Sequence, residues 1–356
     1  MTNDTCEIDG KRLQHALYLL GRNVSLREQL IEFLKEAEPS LKFEGSVRDE
    51  ITGPIVDALH DTKDTYEKTL SDGTRFKFLF RTKIARDFLM ASVEHPSHVW
   101  EPQTTKLLLG LTSGITSDVI VGGAYFGDQA VLVAKNISAL GKRVHCFEPN
   151  LDQAGMLKEN FRINGLTNVR INTLGLWAES NVRLKLDGFD SFANAVKIGA
   201  DEDGFETISI DDYQKQFSLD IGLIQLDIEG AELGTLQGAS KTIAQFKPHI
   251  VFEVHKNYVD WSDGLKNTEL CRLLLDTGYK VFAIRDFNSH YEMTGKPVEL
   301  IPVNKVYLEG PPHGFNMVAV QDAAIFSTLQ YKIVENVSPK LLLHKAPGLH
   351  HPTNGL

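Results

Sequence analysis

Four polar features of the sequence follow apolar, strand-like runs, and the carboxyl ends of strands are where open α/β sheets bind their ligands. These features are the glycine turn 122–128, Glu148, the pair Asp227 and Glu229, and His255. Glycines let a backbone approach a ligand closely, and carboxylates or an imidazole can bind hydroxyl groups or take up a proton. We therefore expect ligand binding and proton-transfer chemistry along one edge of a sheet.

The glycine turn Gly122-Gly123-Ala124-Tyr125-Phe126-Gly127-Asp128 lies between an apolar strand and the start of a helix. Its glycines lack the GxGxxG spacing of dinucleotide sites, and no Walker lysine accompanies them. Gly123 and Gly127 instead have the GxxxG spacing of S-adenosylmethionine sites. The turn thus favours an adenosine ligand without phosphates, and close packing without a ligand is the alternative.

Glu148 ends the second strand of the same unit, in Phe147-Glu148-Pro149-Asn150. A carboxylate roughly 20 residues beyond such a turn is the usual partner of ribose hydroxyls. The alternative is that Glu148 caps the helix that begins near Asp152.

The elements that must position these residues alternate between strand and helix patterns. Apolar strands are predicted at 118–121, 143–147, 169–173, 221–226, 249–254, 280–284 and 316–320, with helices at 129–140, 152–163 and after 230. Such alternation predicts a mostly parallel sheet with helices on both faces. The stretch 187–204 is predicted to be a long loop, and His313 lies in a second loop, Gly310-Pro311-Pro312-His313-Gly314.

The chain divides into three predicted regions. Residues 1–99 form a mixed, mostly helical extension that includes a hairpin at Ser71-Asp72-Gly73. They either cap the sheet, build an oligomer contact or close over a substrate. Residues 100–325 form the main domain, after the boundary Trp100-Glu101-Pro102, and residues 326–356 form a C-terminal tail.

Composition narrows the function classes. Among 356 residues, 42% are hydrophobic and the formal net charge is −10, which argues against a disordered chain and against a nucleic-acid partner. The three cysteines, Cys6, Cys146 and Cys271, lack the spacing of a disulfide framework or a structural zinc site. No signal peptide or membrane span is predicted, so we expect a soluble, cytoplasmic protein without a membrane partner, and a homo-oligomer is left open.

The segment Asp227-Ile228-Glu229-Gly230-Ala231-Glu232 resembles the signature of the FkbM-type methyltransferases. The glycine turn, Phe147-Glu148-Pro149-Asn150, Pro248 and Phe252-Glu253-Val254-His255 resemble the same family in the same order, over about residues 100–320. The resemblance implies a class I methyltransferase fold, Rossmann-like with a seven-stranded, mostly parallel sheet. It also implies S-adenosylmethionine as the methyl donor and O-methylation of a small molecule, often at a sugar hydroxyl.

Two positions depart from the family pattern. Val121 stands where an acidic residue commonly ends the first strand, and Gln225 replaces the lysine usual before the aspartate motif. The amino group of the donor is therefore expected to be held in another way.

Methyl transfer to a hydroxyl needs a base near the reacting methyl group. In the implied fold Asp227 ends the strand beside the first and should lie near that point, so we predict catalytic roles for Asp227, His255 and Glu229. Helix capping is the alternative for the two acids, and a structural strand-end position is the alternative for His255. The predicted donor-binding residues are Gly123, Ala124, Tyr125, Gly127, Asp128, Glu148, Trp177 and Asp227. Trp177 either flanks the adenine or belongs to the core.

A divalent cation such as magnesium is a further alternative, held by Asp227, Glu229 and Glu253 to acidify a substrate hydroxyl. No residue is assigned as a metal ligand on the sequence alone. Two other functions share the fold: a non-catalytic donor-binding or assembly protein, and a nucleotide-dependent oxidoreductase.

Overall fold

The computed structural model of the chain describes residues 2–61, 63–80, 82–187, 194–197, 204–308 and 314–355. Most of the predicted loop 187–204 lies outside the described residues, and so does His313. Two compact units are present, Met1–Val99 with Ser289–Tyr291, and Trp100–Asn288 with Glu292–Leu356. No helix within the described parts of the chain is long and apolar enough to cross a membrane.

The first unit is mostly helical and contains one antiparallel hairpin. Its elements are α1 (Thr2–Gly21), α2 (Val24–Ala37), α3 (Gly53–Ala58), β1 (Thr65–Thr69), β2 (Arg75–Leu79) and α4 (Lys83–Leu89). The predicted hairpin is confirmed, since β1 pairs with β2 across the turn that contains Gly73. Asp72 holds this turn by accepting hydrogen bonds from the backbone nitrogen and the hydroxyl of Thr74, at 3.0 and 2.9 Å.

A small apolar core holds the helices of the first unit to the hairpin. It consists of Ile31, Leu34, Val56, Leu59, Phe80 and Met90. His60 is buried beside it, stacks on Phe80 with ring centroids 3.7 Å apart, and shares hydrogen bonds with the Val56 carbonyl and the Tyr66 hydroxyl. The buried imidazole therefore has both nitrogens paired and is a structural residue.

Thirteen strands lie in the described part of the second unit. They are β3 (Asp118–Gly122), β4 (Val144–Phe147), β5 (Val169–Asn172), β6 (Gly175–Leu176), β7 (Arg183–Asp187), β8 (Asn194–Lys197), β9 (Phe205–Ile208), β10 (Ile221–Leu226), β11 (His249–Val254), β12 (Lys280–Arg285), β13 (Val298–Pro302), β14 (Phe315–Val320) and β15 (Tyr331–Ile333).

Nine of these strands form the central sheet, in the order β15-β13-β12-β14-β11-β10-β3-β4-β5. Strands β5, β4, β3, β10 and β11 are parallel, and β14 runs antiparallel between β11 and β12. The predicted α/β class with a mostly parallel sheet is confirmed. The predicted count of seven strands is wrong, because β13 and β15 extend the sheet beyond β12. Strands β6 to β9 form a separate small sheet.

Helices cover both faces of the central sheet. They are α5 (Pro102–Thr112), α6 (Ala130–Ile137), α7 (Leu151–Ile163), α8 (Ile210–Phe217), α9 (Glu232–Gln237), α10 (Ser240–Phe246), α11 (Glu269–Asp276) and α12 (Pro347–His350). Ile224 and Leu226 of β10 pack into the core shared with α8 to α11. Gln225, which alternates with them, points to the opposite face and contacts Gln129 at the start of α6.

Residues 326–356, predicted to be a C-terminal tail, belong to the second unit and add β15 and α12 to it. The fully buried guanidinium of Arg285 donates hydrogen bonds to the carbonyls of Ser338 and Leu349, at 3.0 and 2.8 Å. It also pairs with Glu299 at 2.6 Å. These contacts fasten the last residues of the chain to β12 and β13.

Candidate active site

The loops that follow β3, β4 and β10 are joined to one another at the carboxyl ends of the strands. The backbone nitrogens of Gly123 and Ala124 donate to the Phe147 carbonyl, at 3.0 and 3.1 Å. The Asp227 backbone nitrogen donates to the Gly122 carbonyl at 3.1 Å. The sequence features at 122–128, 148 and 227 are therefore brought together at one edge of the sheet.

The glycine turn is possible only because side chains are absent at two positions. Gly123 has φ of +72°, and a Cβ atom there would lie 1.7 Å from the carbonyl oxygen of Asp227. Gly127 has φ of +94°, and its Cβ would meet Leu157 and Val131 at 2.8 and 2.9 Å. Both left-handed backbones and both close approaches require glycine, so the turn is held tightly against its neighbours.

Glu148 is buried, and its carboxylate accepts backbone hydrogen bonds from both sides. Oε2 accepts from the Tyr125 nitrogen at 2.8 Å, and Oε1 accepts from the Asn150 nitrogen at 2.9 Å. Burial raises the pKa of Glu148, and these two hydrogen bonds oppose the rise. Each oxygen keeps a second lone pair, so the carboxylate has the capacity to accept from a vicinal diol as well.

The middle of the turn contributes backbone and one acidic side chain. Ala124 is buried, and Tyr125 has φ of +48° with its ring 4.8 Å from the ring of Phe126. Asp128 is half-buried before α6, and desolvation together with the charge of Asp227 raises its pKa to about 7. The turn therefore presents a carboxyl group whose charge is costly without a cationic partner.

Asp227 follows β10 and is accessible to water. Desolvation by the surrounding protein raises the pKa of its carboxyl group to about 6, against the opposing charge of Lys340. A carboxylate with this pKa is mostly ionised at neutral pH and is a stronger base than an ordinary aspartate.

The two glutamates of the 227–232 motif have different surroundings. Glu229 has φ of +51°, and its Oε2 accepts a hydrogen bond of 3.0 Å from the Tyr258 hydroxyl. Glu232 is buried, and its Oε1 accepts from the Ile228 nitrogen at 2.9 Å, which closes the motif loop before α9. Desolvation raises the pKa of Glu232 to about 8.

His255 follows β11 and is buried, with 4% of its surface exposed. Its Nδ1 accepts a hydrogen bond of 3.1 Å from the Asn257 backbone nitrogen, so the neutral ring carries its proton on Nε2. The lone pair that would accept a substrate proton is thus already engaged. This geometry favours a positioning role for His255 over the predicted role as base.

Trp177, predicted beside the adenine or in the core, follows β6 and is half-buried. Its indole packs against α9, where a Cβ atom at Gly234 would lie 2.9 Å from the ring. A Cβ atom at Gly238 would lie 2.4 Å from the backbone carbonyl oxygen of Trp177. The packing against α9 accounts for the position of the side chain.

Glu253, one of three carboxylates considered for a cation, lies on β11, and Gly314 packs directly on its Oε1. Burial and the charges of Asp227, Glu229 and Glu232 raise its pKa. Over the described ranges, however, no three His, Cys, Asp or Glu side chains are grouped as metal ligands would be. Asp227, Glu229 and Glu253 do not form such a group.

Two charged residues that interact electrostatically with Asp227 were not predicted from the sequence. Glu101 is buried at the start of α5, and its Oε2 accepts a hydrogen bond of 2.6 Å from the Asn316 amide. Lys340 is buried near the end of the chain, donates to Asn288, and lowers the pKa of Glu101, Asp227 and Glu253. Glu101 before Pro102 at a helix start was a usable signal, whereas nothing near Lys340 in the sequence pointed to the site.

A cleft of about 450 Å³ lies at the opposite edge of the sheet. It is lined by residues at the amino ends of β3 and β4, including Asp118, Arg143 and His145, and by Arg170. None of the predicted site residues lines it, and ligands of open α/β sheets bind at the other edge.

Residues 122–281 match the sequence profile of the methyltransferase FkbM domain. The match includes the glycine turn, Glu148 and the 227–232 motif, and it confirms the resemblance stated above. No curated protein matches the chain significantly.

Three solved structures are similar over part of the chain. The methyltransferase FkbM from Methylobacillus flagellatus KT is 15% identical over 57% of this chain and 43% of its own, with a TM-score of 0.34. An O-methyltransferase from Bacillus cereus in complex with SAH is 15% identical over 63% and 84%, with a TM-score of 0.35. A SAM-dependent methyltransferase from Agrobacterium tumefaciens is 12% identical over 74% and 72%, with a TM-score of 0.40. This chain thus spans less than half of the Methylobacillus protein.

Proposed function

We propose that the methyltransferase FkbM domain of residues 122–281 moves a methyl group from S-adenosylmethionine to a hydroxyl of a small molecule, with a sugar or glycosylated compound as the substrate class. The observation that carries the proposal is the position of the glycine turn. Glu148 binds the turn through the Tyr125 nitrogen, and the Asp227 loop packs directly on Gly123. A ribose-binding carboxylate and a base are thereby held on either side of one close-packed turn.

The residues present fit this donor. Glu148 has lone pairs left for the two ribose hydroxyls, and the turn lacks the side chains that would keep a ligand away. Asp128 and Asp227 are carboxyl groups whose ionisation is made costly by desolvation, as suits a ligand that carries positive charge. When bound, S-adenosylmethionine would supply a methyl group on a sulfonium sulfur. In an in-line displacement the bond from that sulfur to the methyl carbon would break, and neutral S-adenosylhomocysteine would leave.

The chain's own residues then orient the acceptor and take its proton. Asp227 is the base that we propose, because its carboxylate is accessible, adjoins the turn and has a pKa raised to about 6. As the acceptor oxygen bonds to the methyl carbon, the hydroxyl proton passes to the Asp227 carboxylate. Glu229 is fixed by the hydrogen bond from Tyr258 and serves to position the acceptor, and the ring of His255 packs against Tyr258.

A labelled-methyl screen tests the reaction. The purified protein is incubated with S-adenosylmethionine labelled in the methyl group and with metabolite and glycan extracts, with and without magnesium. We expect the label to enter a small hydroxylated compound and to be released only by conditions that cleave ethers. Label recovered on a nitrogen, sulfur or carbon atom would contradict O-methylation.

Two further measurements, binding of S-adenosylhomocysteine and the absorbance of a nicotinamide cofactor in the same extracts, separate the proposal from its alternatives. A donor-binding protein without catalytic activity would bind S-adenosylhomocysteine but transfer no label to any fraction. A nucleotide-dependent oxidoreductase would change the absorbance of a nicotinamide cofactor in these extracts. Either result would replace the proposed function.

A further inference from the structure

On the premise of the proposed function, we propose that Glu101 binds the ammonium group in the amino-acid portion of the methyl donor. It would take the place of the acidic residue that is absent at position 121, where Val121 stands. The assignment concerns a residue outside the matched domain of 122–281.

Glu101 occupies the N-cap position of α5 but does not cap that helix. The backbone nitrogens of Gln103 and Thr104 donate instead to the carboxylate of Asp286, at 3.0 and 2.7 Å. The Thr104 hydroxyl donates to the same carboxylate at 2.8 Å. Asp286 therefore accepts the hydrogen bonds that an N-cap side chain normally accepts. The carboxylate of Glu101, although it lies at the N-cap position, is not needed for capping.

The carboxylate of Glu101 points toward Gln129, where the glycine turn ends and α6 begins. Within the described parts of the chain both of its hydrogen bonds fall on Oε2, from Asn316 at 2.6 Å and from Gln129 at 3.5 Å. Gln129 directly follows Asp128 of the turn. The other oxygen, Oε1, is left to accept from a further donor.

An unpaired amide oxygen continues the same chain of hydrogen bonds. Gln225 pairs with Val121 in neighbouring strands, and its amide nitrogen donates to Gln129. Gln225 is buried, with 6% of its surface exposed, and its Oε1 has no partner among the described residues. A buried acceptor without a donor is costly, so this oxygen indicates that a donor binds beside Glu101.

The negative charges around Glu101 also favour a bound cation. Desolvation raises the pKa of Glu101 well above its usual value, and the charges of Asp286, Asp227 and Asp128 raise it further. The charge of Lys340 opposes only part of this rise in the pKa of Glu101. A ligand ammonium beside Glu101 would neutralise one of these carboxylates and supply donors to both unpaired oxygens.

Calorimetry with two ligands tests the assignment. S-adenosylhomocysteine carries the amino-acid portion, and 5′-methylthioadenosine lacks it. For Glu101→Gln we expect a loss of about 10- to 100-fold in affinity for S-adenosylhomocysteine, because a charged hydrogen bond is lost. Affinity for 5′-methylthioadenosine should stay within about twofold. Glu148→Gln is the matched comparison and should weaken both ligands, since both contain the ribose.

Equal weakening of both ligands by Glu101→Gln, or weakening of neither, would overturn the assignment. If the unmodified protein binds neither ligand, the proposed function fails and the assignment fails with it. Glutamine can still accept from Asn316, and a thermal unfolding scan checks that the variant is folded. Should Glu101→Gln be unfolded, Glu101→Asp takes its place. Its shorter side chain should also lose affinity for S-adenosylhomocysteine but not for 5′-methylthioadenosine. An equal loss of affinity for both ligands would count against the assignment.

Discussion

Replacing Gly123 with alanine tests whether the glycine turn is built for close approach. The new Cβ atom would lie 1.7 Å from the Asp227 carbonyl oxygen, at a backbone φ of +72°. A left-handed backbone costs a non-glycine residue about 1–2 kcal/mol. Forcing a packed group aside costs about 1–3 kcal/mol more. Alanine also restricts the unfolded chain, which offsets about 0.4–1 kcal/mol. We therefore expect the free energy of unfolding to fall by about 2–4 kcal/mol.

Gly141→Ala is the matched control for this substitution. Gly141 has φ of +67°, but a Cβ atom there would have nothing within 4 Å. Only the backbone term remains, so a loss of about 1 kcal/mol is expected. Urea unfolding gives both stabilities, and calorimetry gives the affinity of each variant for S-adenosylhomocysteine.

Binding separates the two glycines more clearly than stability does. Gly123→Ala must move the turn away from the Asp227 loop, and a loss of only 1.4 kcal/mol in contacts with the ligand weakens binding about tenfold. We expect at least that loss for Gly123→Ala and no change for Gly141→Ala. Equal stability losses and equal affinities in the two variants would refute the close packing of the turn against Asp227.

Three further predictions concern acid–base behaviour and the C-terminal residues. Once an acceptor is known, turnover should rise as the pH passes about 6, where Asp227 loses its proton. Asp227→Asn should lower the turnover rate at least about 10²-fold. A pH profile of turnover that is unchanged in that variant would contradict the assignment of Asp227 as the base. Burial raises the pKa of Glu232 from 4.5 to about 8, so the folded state binds its proton more tightly than the unfolded chain and stability falls as pH rises between these values. Glu232→Gln should reduce the difference between urea midpoints measured near pH 5 and pH 8. Arg285→Ala should lower the free energy of unfolding by about 3–5 kcal/mol, because it leaves the charge of Glu299 buried without its ion-pair partner. Lys305→Ala removes a solvent-exposed ion pair and should lower the free energy of unfolding by less than about 1 kcal/mol.

The parallel half of the sheet was predictable because its signals are local. Strand β10, for example, is an apolar run that ends at an acidic motif, and β3 is an apolar run that ends at a glycine turn. Each pattern identifies both a strand and the edge at which its loop lies. The prediction of Glu148 and Asp227 as site residues rests on the same local signals.

The rest depends on contacts between distant parts of the sequence. Glu101 accepts a hydrogen bond from Asn316, and the charge of Lys340 lowers the pKa of Glu101, although more than 200 residues separate Asn316 and Lys340 from Glu101. The edge strand β15 has only three residues and is half-exposed, so it has no strong pattern of its own, and β13 lies between β15 and β12. The role of His255 could not be judged from its residue type, because it depends on the hydrogen bond that Asn257 donates to Nδ1.

Titration of the folded protein with S-adenosylhomocysteine tests the central claim most directly. The account predicts measurable binding by the unmodified protein, a loss of at least about tenfold for Glu148→Ala, and no change for Asp152→Ala, an exposed acid in the following turn. Absence of binding by the folded, unmodified protein would contradict the account, and so would equal affinities for all three proteins.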